Sequence, residues 1–348
     1  MARLASWGSP PSLYPQREAY AILIVESAVS KESISVYQEL RIFSGNAHPD
    51  LALAICDYLE SPPGRCEVFQ FSNENIFVRF CENIRARDVF LVQPIVSPVN
   101  DRLMELFIMI DGAKRASAGR VTAVVPYYAY GRSDKKDQPR VPITARMVAN
   151  FIETAGADRL LTVDLHAGQI QGFFNIPVDE LTALYAMTRY FNEKRIPNLT
   201  VVATDVGDAK RARNVADLLG APLAIVEKRR IGNEQRAEAV NIIGEVEGMN
   251  TLIVDDEVDT GSTLVATVDM LRRHGAADVY ACCTHAVLSG QAVQRVEESA
   301  IKELVVTDTI PLPPVKRLPK ITVLSLAPLL GEAIRRIHTG HSIGELFQ

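Results

Sequence analysis

The stretch TLIVDDEVDTGSTL, residues 251–264, runs from an apolar strand pattern into closely spaced carboxylates and then a glycine-containing turn rich in hydroxyls. Asp255 and Asp256 fall where such a strand would reach the sheet edge. Asp259, Thr260, Gly261, Ser262 and Thr263 lead into the helical pattern LVATVDMLRRHG. Backbone N–H groups at a helix start, joined by hydroxyls, suit a phosphate. Gly261 lets the backbone come close to an anion without steric penalty. Carboxylates repel a phosphate, so they must serve another part of the same ligand, and neighbouring sugar hydroxyls are donors that carboxylates accept well. A sugar phosphate has both ends. The plainer alternative is a capped helix following an acidic turn.

Working outward, short β-type runs alternate with helix-sized segments from Arg41 onward. HPDLALAICDYLE has apolar residues at helical spacing, with Pro49 near its start. The runs DVFLVQPI, VTAVVPYY, RLLTVDLH, LTVVATD, PLAIVEK, DVYACCTH and ELVVTDT are mostly continuously apolar, as parallel strands covered on both faces are. The expected fold is α/β, two similar domains each with a mainly parallel sheet flanked by helices, and ligands at the C-terminal strand ends. Asp164, His166, Asp205, Lys228 to Arg230, Asp255 and Asp256 all fall at such ends and predict a shared cleft. The expected divisions are an extension over 1–40, a first domain over 41–183 and a second over 184–348. The first forty residues include the loose WGSPPSLYPQ and the apolar AYAILIV, which is too short to span a bilayer.

A formal net charge of -5 gives no basic footprint for nucleic acid, and 47% hydrophobic with 23% charged residues is a globular composition. The five cysteines lack CxxC spacing and read as buried thiols of a reducing, cytoplasmic setting rather than disulfides. No GxxxxGK[ST] loop is present, so any triphosphate must be held by scattered cations and metal.

IVDDEVDTGST resembles the ribose-5-phosphate loop of the phosphoribosyltransferase fold. RIFSGNAHPDLA, the run 104–137, the run 141–181 with VDLHAGQIQGFF, AIVEKRR, YACCTHAVLSG and RRIHTGHSIGELF narrow the resemblance to the ribose-phosphate pyrophosphokinase family. The match is co-linear from about Arg41 to Phe347. It implies two phosphoribosyltransferase-like domains, the last helix packing back on the first. It also implies transfer of the β,γ-diphosphoryl group of ATP to the C1 hydroxyl of ribose 5-phosphate, with Mg2+ as cofactor and a homo-oligomer, typically a hexamer.

The resemblance carries roles onto matching residues. Lys228 is the catalytic lysine and Arg230 a cation near ATP and the sugar phosphate. Phe71, Asn73, Asn75, Arg132, Ser133 and His166 contact ATP. Asp255, Asp256, Asp259, Thr260, Gly261, Ser262 and Thr263 bind ribose 5-phosphate, and Asp205, Val206, Gly207 and Asp208 form the pyrophosphate loop. His166 and Asp205 are the metal-associated pair. YYAYGRSDKKDQPRVP, residues 127–142, is a cationic lid over ATP.

Three positions depart from the family pattern. Ser133 replaces a glutamine, Asn75 an acidic acceptor, and Asp208 a glycine, which brings a carboxylate towards a phosphate site. The alternatives are a non-catalytic regulatory subunit, motivated by Asp208 and Asn75, and a phosphoribosyltransferase, which shares only the opening motif.

Overall fold

The computed structural model describes residues 39–205, 207–230 and 237–347. The extension over 1–38, Val206, and the side chains of Lys228 and Arg230 lie outside that description. Five parallel strands make the first sheet, in the order β1 (Leu40–Ser44), β4 (Asp88–Val92), β5 (Arg120–Val125), β6 (Arg159–Val163) and β7 (Val178–Leu181). A separate antiparallel ribbon, β2 (Cys66–Gln70) and β3 (Ile76–Phe80), branches off between β1 and β4.

The second sheet has seven strands. Their order is β10 (Ala237–Ile243), β9 (Leu223–Arg230), β8 (Leu199–Ala203), β11 (Asn250–Val258), β12 (Val279–Ala286), β13 (Ile301–Thr307) and β14 (Ile321–Leu324). Only the β9–β10 pair is antiparallel. After β8 the chain moves to one side to form β9, then returns to the other side as β11. That reversal opens a crevice beyond the C-terminal ends of β8 and β11, the place where open α/β sheets hold ligands.

Alternation along the strands divides the cores. Phe90, Val92, Val124 and Leu161 of the first sheet share one core with Val201, Leu252, Val254 and Cys282 of the second. Between them lie α1 (Pro49–Tyr58), α4 (Leu184–Lys194), α5 (Ala209–Leu219) and α8 (Ala327–Thr339). Val89, Leu91 and Ala123 face the other way, onto α2 (Val99–Arg115) and α3 (Thr144–Ala155). Ile253, Ala281 and Cys283 face α6 (Ser262–Arg273) and α7 (Ala292–Glu298). Cys282 and Cys283 thus serve opposite faces, as adjacent strand residues must. All five cysteines are free.

The last helix lies against the first-sheet half. Fully buried Asp88 accepts hydrogen bonds from Arg120 Nε at 2.8 Å and from His338 Nδ1 at 2.8 Å, and Arg120 also donates to the Ile337 carbonyl. No helix among the described residues is long and apolar enough to cross a membrane.

Candidate active site

Two loops build the crevice. Leaving β11, the chain reaches Gly261, whose φ of 73° is a left-handed conformation that costs glycine nothing. Helix α6 starts one residue later at Ser262, earlier than the sequence pattern suggested, and no side chain caps it. Its first-turn N–H groups are therefore left for a ligand. The turn is braced from behind: Arg295 donates to the Thr260 carbonyl at 2.7 Å, and Ser289 holds both the backbone and the carboxylate of Asp259.

Leaving β8, Asp205 accepts the N–H groups of Gly207 and Asp208 at 2.8 and 3.2 Å and closes a tight turn. A Cβ on Gly207 would stand 3.0 Å from that carboxylate, so the position favours glycine. Asp208 then heads α5 without capping it. Its carboxylate turns back to accept from the Thr204 hydroxyl at 2.9 Å. The carboxylate feared for its repulsion of phosphate points instead at other acids. Oxygens of Asp208, Asp255 and Asp256 lie within 4.8 Å of one another.

Burial and crowding set the charges there. Burial, with Asp256 and Asp208 beside it, pushes Asp255 well above the usual carboxylate range. Burial alone would also raise Asp256, but hydrogen bonds from His166 and Asp255 and the nearby Arg211 guanidinium hold it below. His166 Nδ1 lies 2.8 Å from Asp256, and that bond raises the imidazole above its ordinary value against the opposing effect of burial. Burial raises Asp208, and Thr204 and Arg211 partly offset this. Arg211 of α5 is itself largely buried, its Nη1 without a hydrogen-bond partner, among the charges of Asp164, Asp256, Asp208 and Asp255. It is the internal counter-charge of this acid cluster.

The first-sheet half supplies the opposite wall. Arg132 reaches across to Glu257 at 3.0 Å and Asp259 at 3.4 Å. Gly131 packs so closely that a Cβ would meet the Tyr128 carbonyl at 3.2 Å and His166 at 3.4 Å. Arg132, His166, Asp205, Asp208, Asp255, Asp256 and the 259–261 turn line one cavity of about 330 Å³. A neighbouring cavity of about 600 Å³ is lined by Lys135, Asp164, His166, Gly207, Lys210 and Arg211. A larger cavity, about 1180 Å³, is mostly aliphatic and proline-lined, with His48 and Lys316 on its wall. It lacks the Asp208, Asp255 and Asp256 trio and the open helix start that the smaller pocket joins.

Other predicted residues lie apart. Phe71, Asn73 and Asn75 are exposed at the tip of the β2–β3 ribbon, where Phe69, Phe71 and Phe77 stack edge to face or tilted. They line neither pocket. Ser133 is held in its loop by backbone bonds to Tyr130 and Ala145. Lys136 and Arg140 are exposed. Lys228 and Arg230 fall on β9 where it runs on beyond Ile225, the partner of Ala203, towards the same sheet end.

Comparison with known proteins decides the family. Residues 40–156 match the model of the N-terminal domain of ribose phosphate pyrophosphokinase, and residues 231–348 match that of the phosphoribosyl synthetase-associated domain. The ribose-phosphate pyrophosphokinase of Caldanaerobacter subterraneus is 51% identical over 309 residues, 88% of this chain and 98% of its own. This chain belongs to the ribose-phosphate pyrophosphokinase family. The pyrophosphokinase of Oceanobacillus iheyensis is 48% identical over 308 residues, 88% of this chain and 97% of its own. The crystal structure of phosphoribosylpyrophosphate synthetase from Mycobacterium smegmatis matches with a TM-score of 0.82 and 43% identity, over 86% of this chain and 99% of that one. The two-lobed fold described above is thus the pyrophosphokinase fold, and the pocket at its strand reversal is where family chemistry is to be sought.

Proposed function

We propose that this enzyme transfers the β,γ-diphosphoryl group of ATP to the C1 hydroxyl of ribose 5-phosphate, releasing AMP and forming 5-phosphoribosyl 1-pyrophosphate for nucleotide synthesis. One observation carries the reading: a single pocket joins the acids of β11 to an uncapped helix start rich in hydroxyls. The amide and hydroxyl groups of residues 259–263 take the 5-phosphate, and Asp255 and Asp256 accept from the sugar diol. The C1 oxygen attacks the β-phosphorus and the bond from that phosphorus to the α-phosphate oxygen breaks. Such transfer needs in-line positioning and charge neutralisation more than an elaborate nucleophile. In this reading Lys228 steadies the transferring phosphoryl oxygens, Arg230 neutralises charge between the substrates, and Arg132 holds the triphosphate.

Magnesium fits the donor set. Asp208, Asp255 and Asp256 present hard oxygens close together, the chemistry the ion prefers, and Asp205 and His166 line the same pocket. When bound it supplies positive charge that offsets the polyphosphate. Asp208 and the uncapped start of α5 then serve the pyrophosphate side, with Gly207 in the turn that leads to it.

A homo-oligomer, a hexamer in the family pattern, is part of the proposal. Met104, Phe107, Met147 and Phe151 make an apolar face across α2 and α3, with the two phenyl rings 5.8 Å apart. The exposed Phe71, Asn73 and Asn75 would meet adenine in a neighbouring copy. Free thiols support a cytoplasmic setting. The test is AMP formation from ATP and magnesium by the purified protein, with and without ribose 5-phosphate. Sugar-dependent AMP is expected. No AMP from folded oligomer would favour a non-catalytic subunit.

A further inference from the structure

We infer that Glu257 is a positioning residue: from its fixed place in β11 it holds the Arg132 guanidinium at the boundary between the nucleotide and sugar sites. The inference rests on the proposed reaction. Glu257 follows Asp256 directly and lines the same pocket, yet its carboxylate is engaged by Arg132 and Tyr127. Its side chain is 8% exposed, its backbone is in register with His285 of β12, and Oε2 accepts from the Tyr127 hydroxyl at 3.5 Å. The Tyr127 ring in turn lies 5.0 Å from the His285 ring. Strand, tyrosine and histidine together leave this carboxylate little freedom.

Arg132 is its opposite, 52% exposed on a loop of the other lobe, with Nη2 3.0 Å from Glu257 Oε1. Its second partner, Asp259, is farther away at 3.4 Å and more exposed, and Ser289 already occupies the other Asp259 oxygen. A guanidinium has five donors in a rigid fork, so one edge can stay on Glu257 while the others turn to phosphate oxygens. Asp259 is the partner a phosphate displaces, and Glu257 is the one that stays. Losing it frees the arginine to wander, and misplacement of about 1 Å can cost roughly a hundredfold in rate.

A double-mutant cycle tests this in the full-length enzyme, with KM for each substrate and kcat read from AMP release. Glu257→Leu is expected to lower kcat/KM for ATP by roughly ten- to a hundredfold while leaving the ribose 5-phosphate KM near that of wild type. Glu257→Gln, which keeps an acceptor for Nη2, should recover most of the loss. In an Arg132→Ala background Glu257→Leu should have no further effect. Multiplying losses in that background, or equal damage to both substrates, would overturn the assignment. Wild-type protein that makes no sugar-dependent AMP would instead overturn the reaction it rests on.

Discussion

The hydroxyl of Thr284, in the second sheet, donates at 2.6 Å to the carboxylate of Asp164, which ends β6 of the first. The same oxygen accepts the Ala183 N–H at 3.0 Å, and the Asp164 carbonyl lies 3.0 Å from His285 Nε2. Asp164 has a positive φ of 38°, a backbone state that persists when surrounding bonds over-determine it. His166, two residues on, is thereby aimed at Asp256 from the opposite lobe. Thr284→Val keeps the shape and removes the donor. It should cost about 1–3 kcal/mol of unfolding free energy, read from the urea midpoint. A midpoint equal to wild type would mean that the bond does not join the lobes.

How much of this was legible in sequence depended on distance along the chain. The 259–263 turn could be read because glycine, hydroxyls and helix start are contiguous, and the ends of β6 and β8 because their apolar runs stop near acids. Strand β11, by contrast, runs on past Asp255 and Asp256 to Val258. Strand β7, within the half-polar VDEL, carried no apolar run to reveal it, and the β2–β3 ribbon was noticed only for its FSNEN tip. The Thr284–Asp164 bond spans 120 positions, so no local pattern announces it. Glu257 was hidden in plain view within an acidic run, because nothing local says that its partner is Arg132. The substitution at Asp208 was visible, but only Thr204 decides which way its carboxylate turns.

His48 links helix capping to pH. Its Nδ1 accepts the Leu51 N–H at 3.3 Å at the start of α1. Burial lowers the imidazole below its usual 6.5, against the raising influence of Asp308 and Asp50. Well above pH 6.5 both folded and unfolded forms are neutral and this group contributes no slope. As pH falls below that value, the unfolded chain takes up a proton that the folded one refuses, and stability is lost until the lower folded value is reached. His48→Asn keeps a capping oxygen without the titration. Urea midpoints at about pH 7 and about pH 5 should therefore converge more closely in the variant than in wild type. An identical drop in both proteins would remove His48 as a source.

In the proposed magnesium site Asp208 trades stability for cation binding. Asp208→Asn keeps an acceptor for Thr204 and removes one charge from the trio with Asp255 and Asp256. Unfolding free energy should rise by about 0.5–2 kcal/mol. The magnesium concentration for half-maximal activity should rise too, since fewer anionic oxygens remain. Denaturant melts and a magnesium titration check both, and no change in either would sink the explanation.

In the proposed reaction Lys228 acts in the transition state rather than in ground-state binding. Lys228→Ala should lower kcat by roughly a hundred- to a thousandfold with a small change in either KM. Loss confined to KM would reassign it to substrate capture.

The pivotal claim is that one crevice grips both ends of a pentose phosphate, and a crystal structure with ribose 5-phosphate bound tests it most directly. The account predicts phosphate oxygens on the N–H and hydroxyl groups of residues 260–263, with the sugar diol on Asp255 and Asp256. A pentose bound elsewhere while that turn stays empty would contradict it.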